Sequence, residues 1–175
     1  MKTKYIILCA LFAALIAVGT YIRIPTPLVP LTLQTLFVVL AGLILGKFYG
    51  AVSVCVYIGA GLAGLPFFTI TPTFGYILGF IGGAWISGYA AEKFNPCLLT
   101  WIAGALAGIA FIYAVGIPYY YFVSKYYIGN ELGAKSLLIY FVLMPLPGDI
   151  VKSVAAGLVV QRLKIFFPNK FTWKR

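Results

Sequence analysis

The stretch LLIYFVLMPLPGDIVKSVAAGLVV, residues 137–160, is long and apolar enough to cross a lipid bilayer as a helix. It nevertheless contains an aspartate, Asp149, and a lysine, Lys152, three positions later. Spacing of i and i+3 places both side chains on one face of a helix. A charged side chain in hydrocarbon costs at least about 2.5 kcal/mol, so such residues face a bundle interior, a cavity or a ligand. The pair is therefore the leading candidate for a ligand-contacting site.

The composition of the chain identifies its class. Of its 175 residues, 63% are hydrophobic and only 9% are charged, whereas a soluble domain carries about 25% charged residues. The apolar residues come in long blocks rather than in alternation, which favours membrane helices over a membrane β-barrel. We therefore expect an all-α, multi-pass membrane protein that forms a single domain over residues 1–175.

Proline, glycine and charged clusters divide the chain into six predicted transmembrane helices. The first follows two lysines, and we interpret it as a helix rather than a signal peptide because no small-x-small cleavage site precedes a polar region. Residues 65–76 are predicted as an irregular loop that overlaps the start of the fourth helix, and residues 119–135 as a tyrosine-rich segment at the membrane interface. The six helices are Tyr5–Tyr21, Leu31–Leu45, Phe48–Ala60, Phe74–Ala91, Cys97–Tyr113 (up to Pro118) and Ser136–Leu163, the last interrupted at Pro145, Pro147 and Gly148.

The net charge of +10 indicates orientation rather than a nucleic-acid partner, because the basic residues flank apolar blocks instead of clustering on a polar surface. With six spans, nine of the thirteen basic residues fall on one side of the membrane and three on the other. Positive residues are enriched in cytoplasmic loops, so both termini are predicted to be cytoplasmic. The nine are Lys2, Lys4, Lys47, Lys93, Arg162, Lys164, Lys170, Lys174 and Arg175, and the three are Arg23, Lys125 and Lys135.

The predicted depth of Asp149 follows from helix geometry. Asp149 precedes Leu163 by 14 residues, which is about 21 Å at about 1.5 Å per residue. The hydrocarbon core is about 30 Å thick, so Asp149 is placed in its outer third. The break at Pro147 and Gly148 places the carboxylate at the start of a helical half, where the helix dipole favours negative charge. A ligand is thus expected to approach from outside.

The residue inventory argues against catalysis. The chain has no histidine, only three acidic residues, and three cysteines (Cys9, Cys55 and Cys97) without metal-ligand spacing. These absences remove the usual general base and most zinc sites. We expect no enzyme activity, no metal and no cofactor, and any ATP hydrolysis must come from partner subunits. A structural alternative is also open, in which Asp149 and Lys152 only neutralise each other inside the bundle.

Two further features stand out in the first two predicted helices. Thr32, Gln34 and Thr35 follow a proline-rich turn, and capping accounts for Thr32 but not for Gln34, which is therefore predicted to line the site. The first helix carries two small-xxx-small pairs, which permit close helix approach either within the bundle or to another membrane protein. The pairs are Ala10 with Ala14 and Ala13 with Ala17.

Five sequence blocks carry a resemblance to a known family. Four of them are similar to the family patterns VPxTLQT, GLxGLPVF, PTxGYLxGF and PGDxxK, with the bulkier Phe67 in place of the valine of the second pattern. All five recur in family order over nearly the whole chain. The chain resembles the BioY family, the biotin-specific substrate-binding S components of energy-coupling factor (ECF) transporters. Many members have a longer glycine-rich loop where this chain has only Phe68–Thr71. The blocks are IPTPLVPLTLQT (24–35), LAGLILG (40–46), YIGAGLAGLPF (57–67), PTFGYILGF (72–80) and PGDIVK (147–152).

The resemblance implies a six-helix S component in the cell membrane that captures biotin from outside. Its implied partners are an ECF transmembrane coupling subunit and two cytoplasmic ATPase subunits. Asp149 and Lys152 match the Asp-x-x-Lys of the family and are expected to bind the ligand, and the alanine face of the first helix is expected to bind the coupling subunit. Gln34, Thr73 and Tyr76 are further expected ligand contacts, and Ala10, Ala13, Ala14 and Ala17 form the alanine face.

The chemistry of biotin suits this assignment. A ureido N–H can donate to Asp149 and the ureido carbonyl can accept from Lys152, although the reverse orientation, with Lys152 on the valerate carboxylate, stays open. The apolar ring and chain are expected to contact Phe67, Phe68, Tyr76 and Tyr140. Three alternatives to a biotin-binding S component stay open: an S component for another vitamin, a membrane assembly protein without a substrate, and an intramembrane enzyme.

Overall fold

The computed structural model describes residues 2–24, 31–64, 73–129 and 133–166, which are almost entirely helical. Two short strands, β1 (Arg23–Ile24) and β2 (Leu31–Thr32), pair antiparallel between the first two helices. Two π-helical segments, Ser124–Ile128 and Ile139–Leu143, follow α4 and α5. The α-helices are α1 (Lys2–Tyr21), α2 (Gln34–Leu62), α3 (Phe74–Lys93), α4 (Leu98–Val123), α5 (Ala134–Leu138) and α6 (Leu146–Phe166).

Helix α2 reverses direction at Gly46, between the second and third predicted helices, Leu31–Leu45 and Phe48–Ala60. Gly46 has φ 83° and ψ 174°, a backbone region that is essentially restricted to glycine. Gln34 donates a 2.8 Å hydrogen bond to Tyr57, 23 residues later, whereas a straight helix would separate them by about 35 Å. A methyl group on Gly50 would come within 2.6 Å of the Cα of Gly42. The halves 34–45 and 47–62 therefore lie side by side and antiparallel.

Five helices in the described part of the chain are long and apolar enough to cross a membrane, where the sequence predicted six. The α2 span of 29 residues is one of the five and contains the reversal at Gly46. The described residues thus form a multi-pass membrane protein by length and composition. The five spans are Thr3–Tyr21, Gln34–Leu62, Phe74–Lys93, Leu98–Tyr127 and Lys135–Phe166.

The fifth predicted segment is longer than expected. Helix α4 continues through Pro118 to Val123, and the π-helical segment extends it to Ile128, so the prediction of an end by Pro118 was wrong. Packing explains the extension, because a buried tyrosine, Tyr120, contacts Phe141 with ring centroids 4.3 Å apart. Its neighbour Tyr119 packs on Gly75. These contacts offset the hydrogen bond that a proline removes from a helix.

Two other boundaries also differ from the prediction. The second helix begins at Gln34 rather than Leu31, because Leu31 and Thr32 pair with β1 instead of starting the helix. Leu33, not Thr32, occupies the N-cap position, so capping does not account for Thr32. Helix α3 begins at Phe74, as predicted for the fourth helix, so the predicted loop 65–76 does not extend to Tyr76, which is helical. Residues 65–72 lie outside the described ranges.

Polar contacts mark the two ends of the bundle. At one end, Lys47 pairs with Glu92 at 3.4 Å, and Lys164 donates to the Pro96 carbonyl at 3.4 Å. At the opposite end, Gln34 meets Tyr57 and α6 begins. Helix α3 packs between α2 and α4, and α6 packs on α2 and α4. The candidate ion pair on α6 thus lies toward the end away from Lys47.

Candidate ligand-binding site

Asp149 and Lys152 lie on the buried face of α6, near its beginning. A turn at residues 144–145 interrupts the chain, and α6 starts at Leu146 with Asp149 in its first turn. The break lies slightly before Pro147 and Gly148, because proline fits the first turn of a helix. Asp149 is 2% exposed and Lys152 is 8% exposed. Their side chains form an i, i+3 ion pair, as the spacing predicted.

The Lys152 ammonium already has protein partners. Besides Asp149, it donates to the Thr35 hydroxyl at 2.6 Å and to the Thr32 carbonyl at 3.2 Å. A lysine ammonium has three N–H donors; two of them are hydrogen-bonded here, and the charge is paired with Asp149. These bonds join α6 to the start of α2. A ligand oxygen at Lys152 would therefore compete with these partners.

The Asp149 carboxylate retains capacity for a ligand. One oxygen is paired with Lys152, and the other accepts a hydrogen bond from the Tyr113 hydroxyl on α4. An ionised carboxylate has about four acceptor positions, so N–H donors from a ligand can still bind. Tyr113 was not among the predicted site residues. Its signal in the sequence is a phenol within an apolar span, which needs a polar partner when it is buried.

An aromatic cluster lies beside the carboxylate. The Tyr76 ring is 8% exposed and packs edge-on against Tyr113 with centroids 6.1 Å apart. On another side it stacks on the fully buried Phe141 at 6.4 Å. Gly116 permits this packing, because a methyl group there would come within 2.6 Å of the Tyr76 ring. The Tyr76 hydroxyl is buried and has no hydrogen-bond partner among the described residues.

The remaining predicted ligand residues have four different outcomes. Gln34 is buried and bonds to Tyr57, so it joins the halves of α2, while its neighbours Thr32 and Thr35 reach Lys152. Thr73 precedes α3, and its carbonyl accepts the N–H of Tyr76 at 3.0 Å. Tyr140 has an exposed side chain, and the structure places Phe141 rather than Tyr140 against Tyr76. Phe67 and Phe68 lie outside the described residues.

The four alanines of α1 do not share one outward face. Ala13 and Ala17 are buried in the hydrophobic core with Val38, whereas Ala10 and Ala14 are exposed. The expectation that all four form a partner-binding face is therefore wrong for Ala13 and Ala17, which α2 already covers. Small residues there allow α1 and α2 to approach closely.

The described ranges contain no group of three or more histidine, cysteine, aspartate or glutamate side chains that could hold a metal ion. The site thus offers a carboxylate with free acceptor positions, an ammonium that already has protein partners, and the aromatic cluster of Tyr76, Tyr113 and Phe141. This arrangement suits a neutral ligand with N–H donors and apolar surface.

Comparisons with known proteins point to one family. The family model described as "BioY family" matches residues 1–169. A relative from Lysinibacillus sphaericus, "Probable biotin transporter BioY", is 38% identical over 175 residues, covering 94% of this chain and 89% of the relative. "Biotin transporter BioY" from Thermotoga maritima is 38% identical over 171 residues, covering 92% of this chain and 96% of the relative.

A solved structure is similar along nearly the whole chain. It is described as the crystal structure of the S-component for biotin from an ECF-type ABC transporter. The TM-score is 0.82 at 25% sequence identity, and the match covers 94% of this chain and 92% of the other.

Proposed function

Because this chain belongs to the BioY family, we propose that it is the biotin-binding membrane subunit, the S component, of an ECF-type ABC importer. The observation that carries the proposal is Asp149, a buried carboxylate with unused acceptor positions beside the aromatic cluster. A charge is kept inside a membrane bundle at considerable cost, which a ligand-binding role accounts for.

Biotin fits the chemical resources of this site. A ureido N–H donates to Asp149, and the apolar ring lies against Tyr76, which packs on Tyr113 beside the carboxylate. Lys152 keeps Asp149 charged and oriented while it holds α6 against the start of α2. The valerate carboxylate points toward the outer surface, where water solvates it. A buried carboxylate that binds a ureido N–H rejects analogues that lack that group.

The chain crosses the membrane six times in this proposal, with both termini in the cytoplasm. The reversal at Gly46 supports two crossings within α2, because its halves 34–45 and 47–62 run antiparallel. At about 1.5 Å per residue each half is about 18–24 Å long, which is short for a bilayer of about 30 Å and requires local thinning or polar flanks. Lys47 and Lys93 then lie at the cytoplasmic end, in agreement with the enrichment of positive residues there.

The outward face of α1 is the proposed contact for the transmembrane coupling subunit. Ala10 and Ala14 are exposed and spaced by four residues, so another helix can approach closely there. Two cytoplasmic ATPase subunits hydrolyse ATP in this scheme, and the present chain supplies only ligand capture. Ala13 and Ala17 support the arrangement from inside by packing α1 on the rest of the bundle.

A ligand panel tests the proposed function directly. A ligand that binds only the folded protein raises its melting temperature by mass action. Purified protein in detergent is expected to be stabilised by micromolar biotin and not by equal concentrations of thiamine, riboflavin or pantothenate. Stabilisation by one of the other vitamins would assign the chain to a different ligand, and stabilisation by none would favour an assembly protein without a substrate.

A further inference from the structure

We propose that the Tyr76 hydroxyl donates the hydrogen bond that the ureido carbonyl of bound biotin accepts, which makes Tyr76 a specificity-determining residue. This inference rests on the proposed function and assigns Tyr76 a polar role in addition to its place in the aromatic cluster. It also assigns the carbonyl to a partner other than Lys152.

The first support is the state of the Tyr76 hydroxyl in the ligand-free protein. Tyr76 is 8% exposed, and its oxygen is buried without a hydrogen-bond partner among the described residues. A buried hydroxyl that lacks a partner is unfavourable, because it has given up its bonds to water. Buried polar groups of native proteins are satisfied in the large majority of cases. A ligand acceptor that meets this hydroxyl removes the penalty on binding.

The second support is the position of Tyr76 relative to Asp149. The Tyr76 ring packs edge-on on Tyr113, whose hydroxyl donates to Asp149. In a ureido group the N–H and the C=O are on adjacent atoms. A biotin that donates its N–H to Asp149 therefore presents its carbonyl oxygen within the same small space, which the Tyr76 side chain borders.

The third support is the occupancy of Lys152, the other donor nearby. The ammonium pairs with Asp149 and donates hydrogen bonds to the Thr35 hydroxyl and the Thr32 carbonyl. A ureido oxygen at this ammonium would compete with these three partners. The Tyr76 hydroxyl breaks none of the described bonds when it donates, so it is the donor that gains most from the ligand.

The test uses Tyr76→Phe, which removes only the hydroxyl, and Tyr89→Phe as a control at the opposite end of the same helix. Tyr76→Phe is expected to bind biotin about tenfold more weakly, the size of one buried hydrogen bond. Its ligand-free melting temperature is expected to stay equal or rise, because an unsatisfied group is lost. Tyr89→Phe is expected to keep wild-type affinity.

A biotin analogue with sulfur in place of the ureido oxygen separates a ligand contact from a structural effect. Sulfur is a weak acceptor, so the wild type should prefer biotin over the analogue, and Tyr76→Phe should reduce that preference. An unchanged preference in Tyr76→Phe, or wild-type affinity for biotin, would overturn the inference. If Tyr76→Phe gives either of these results while Asp149→Asn loses biotin binding, the proposed function stands and only the role of Tyr76 is rejected. Absence of biotin binding by the wild type would instead reject the proposed function.

Discussion

The Tyr113 hydroxyl on α4 donates a hydrogen bond to the Asp149 carboxylate on α6. The other oxygen of the same carboxylate pairs with Lys152, so two helices fix the position of one buried charge. This arrangement keeps the carboxylate oriented before a ligand arrives. Pre-organisation of this kind raises affinity because less ordering remains to be done on binding.

Tyr113→Phe is therefore expected to weaken biotin binding although it removes a single oxygen atom. A hydrogen bond to a charged group contributes about 1.5–3 kcal/mol, which corresponds to about 10- to 100-fold in affinity. Equilibrium binding to purified protein measures the change, with Tyr121→Phe on the same helix as the control. Wild-type affinity in Tyr113→Phe would show that Lys152 alone orients the carboxylate.

Lys152→Met is expected to destabilise the fold and to abolish biotin binding. Removing one partner of a buried ion pair leaves an uncompensated charge and costs about 3–5 kcal/mol. The double variant Asp149→Asn with Lys152→Met should recover most of the stability, because both charges are gone, but it should not recover binding. Thermal unfolding and ligand binding of the three proteins measure both effects. A double variant that binds biotin normally would mean that the pair is only structural.

Cysteine labelling tests the six-span arrangement with cytoplasmic termini. Cys97 is exposed in the turn before α4, and its hydrogen bond with Thr100 lowers the pKa of the thiol, so it is more reactive than an ordinary cysteine. A membrane-impermeant maleimide should label Cys97 only after cells are permeabilised. In a variant without Cys97, Gly129→Cys should react in intact cells, because residue 129 follows α4 on the other side. Labelling of Cys97 in intact cells would reverse the proposed orientation.

Bulky substitutions on α1 separate partner docking from internal packing. Ala14 is exposed, so Ala14→Trp should leave biotin binding by the isolated protein unchanged but stop uptake in cells that contain the ECF partner subunits. Ala13 is buried, so Ala13→Trp should lower the melting temperature of the isolated protein through overpacking. Loss of binding in Ala14→Trp, or full uptake by that variant, would contradict docking at this face.

Residues that are energetically costly within a membrane helix could be predicted from the sequence to have a special role. A buried charge pair, Asp149 with Lys152, and a glycine that must leave helical geometry, Gly46, are costly in a membrane helix unless a particular structure requires them. The structure contains both the ion pair and the reversal of α2. Family-like sequence blocks added the ligand class, which the comparisons support.

Contacts between distant segments were not predictable in the same way. Tyr113 and Thr35 bond to Asp149 and Lys152 across 36 and 117 residues of chain, and no local pattern marks such pairs. The outward turn of Tyr140 and the inward turn of Phe141 depend on the π-helical segment that contains them. Extra residues in a π turn rotate the side chains relative to an α-helix, and this rotation is set by packing rather than by composition.

The proposed role of Asp149 in biotin binding is tested by equilibrium binding of radiolabelled biotin to the purified wild type and to Asp149→Asn. Asp149→Asn keeps the size of the side chain and removes its charge, and its folding is checked by thermal unfolding in the same detergent. The wild type is expected to bind biotin saturably, and the folded variant is expected to lose that binding. Equal affinity of the two proteins for biotin would contradict this role of Asp149.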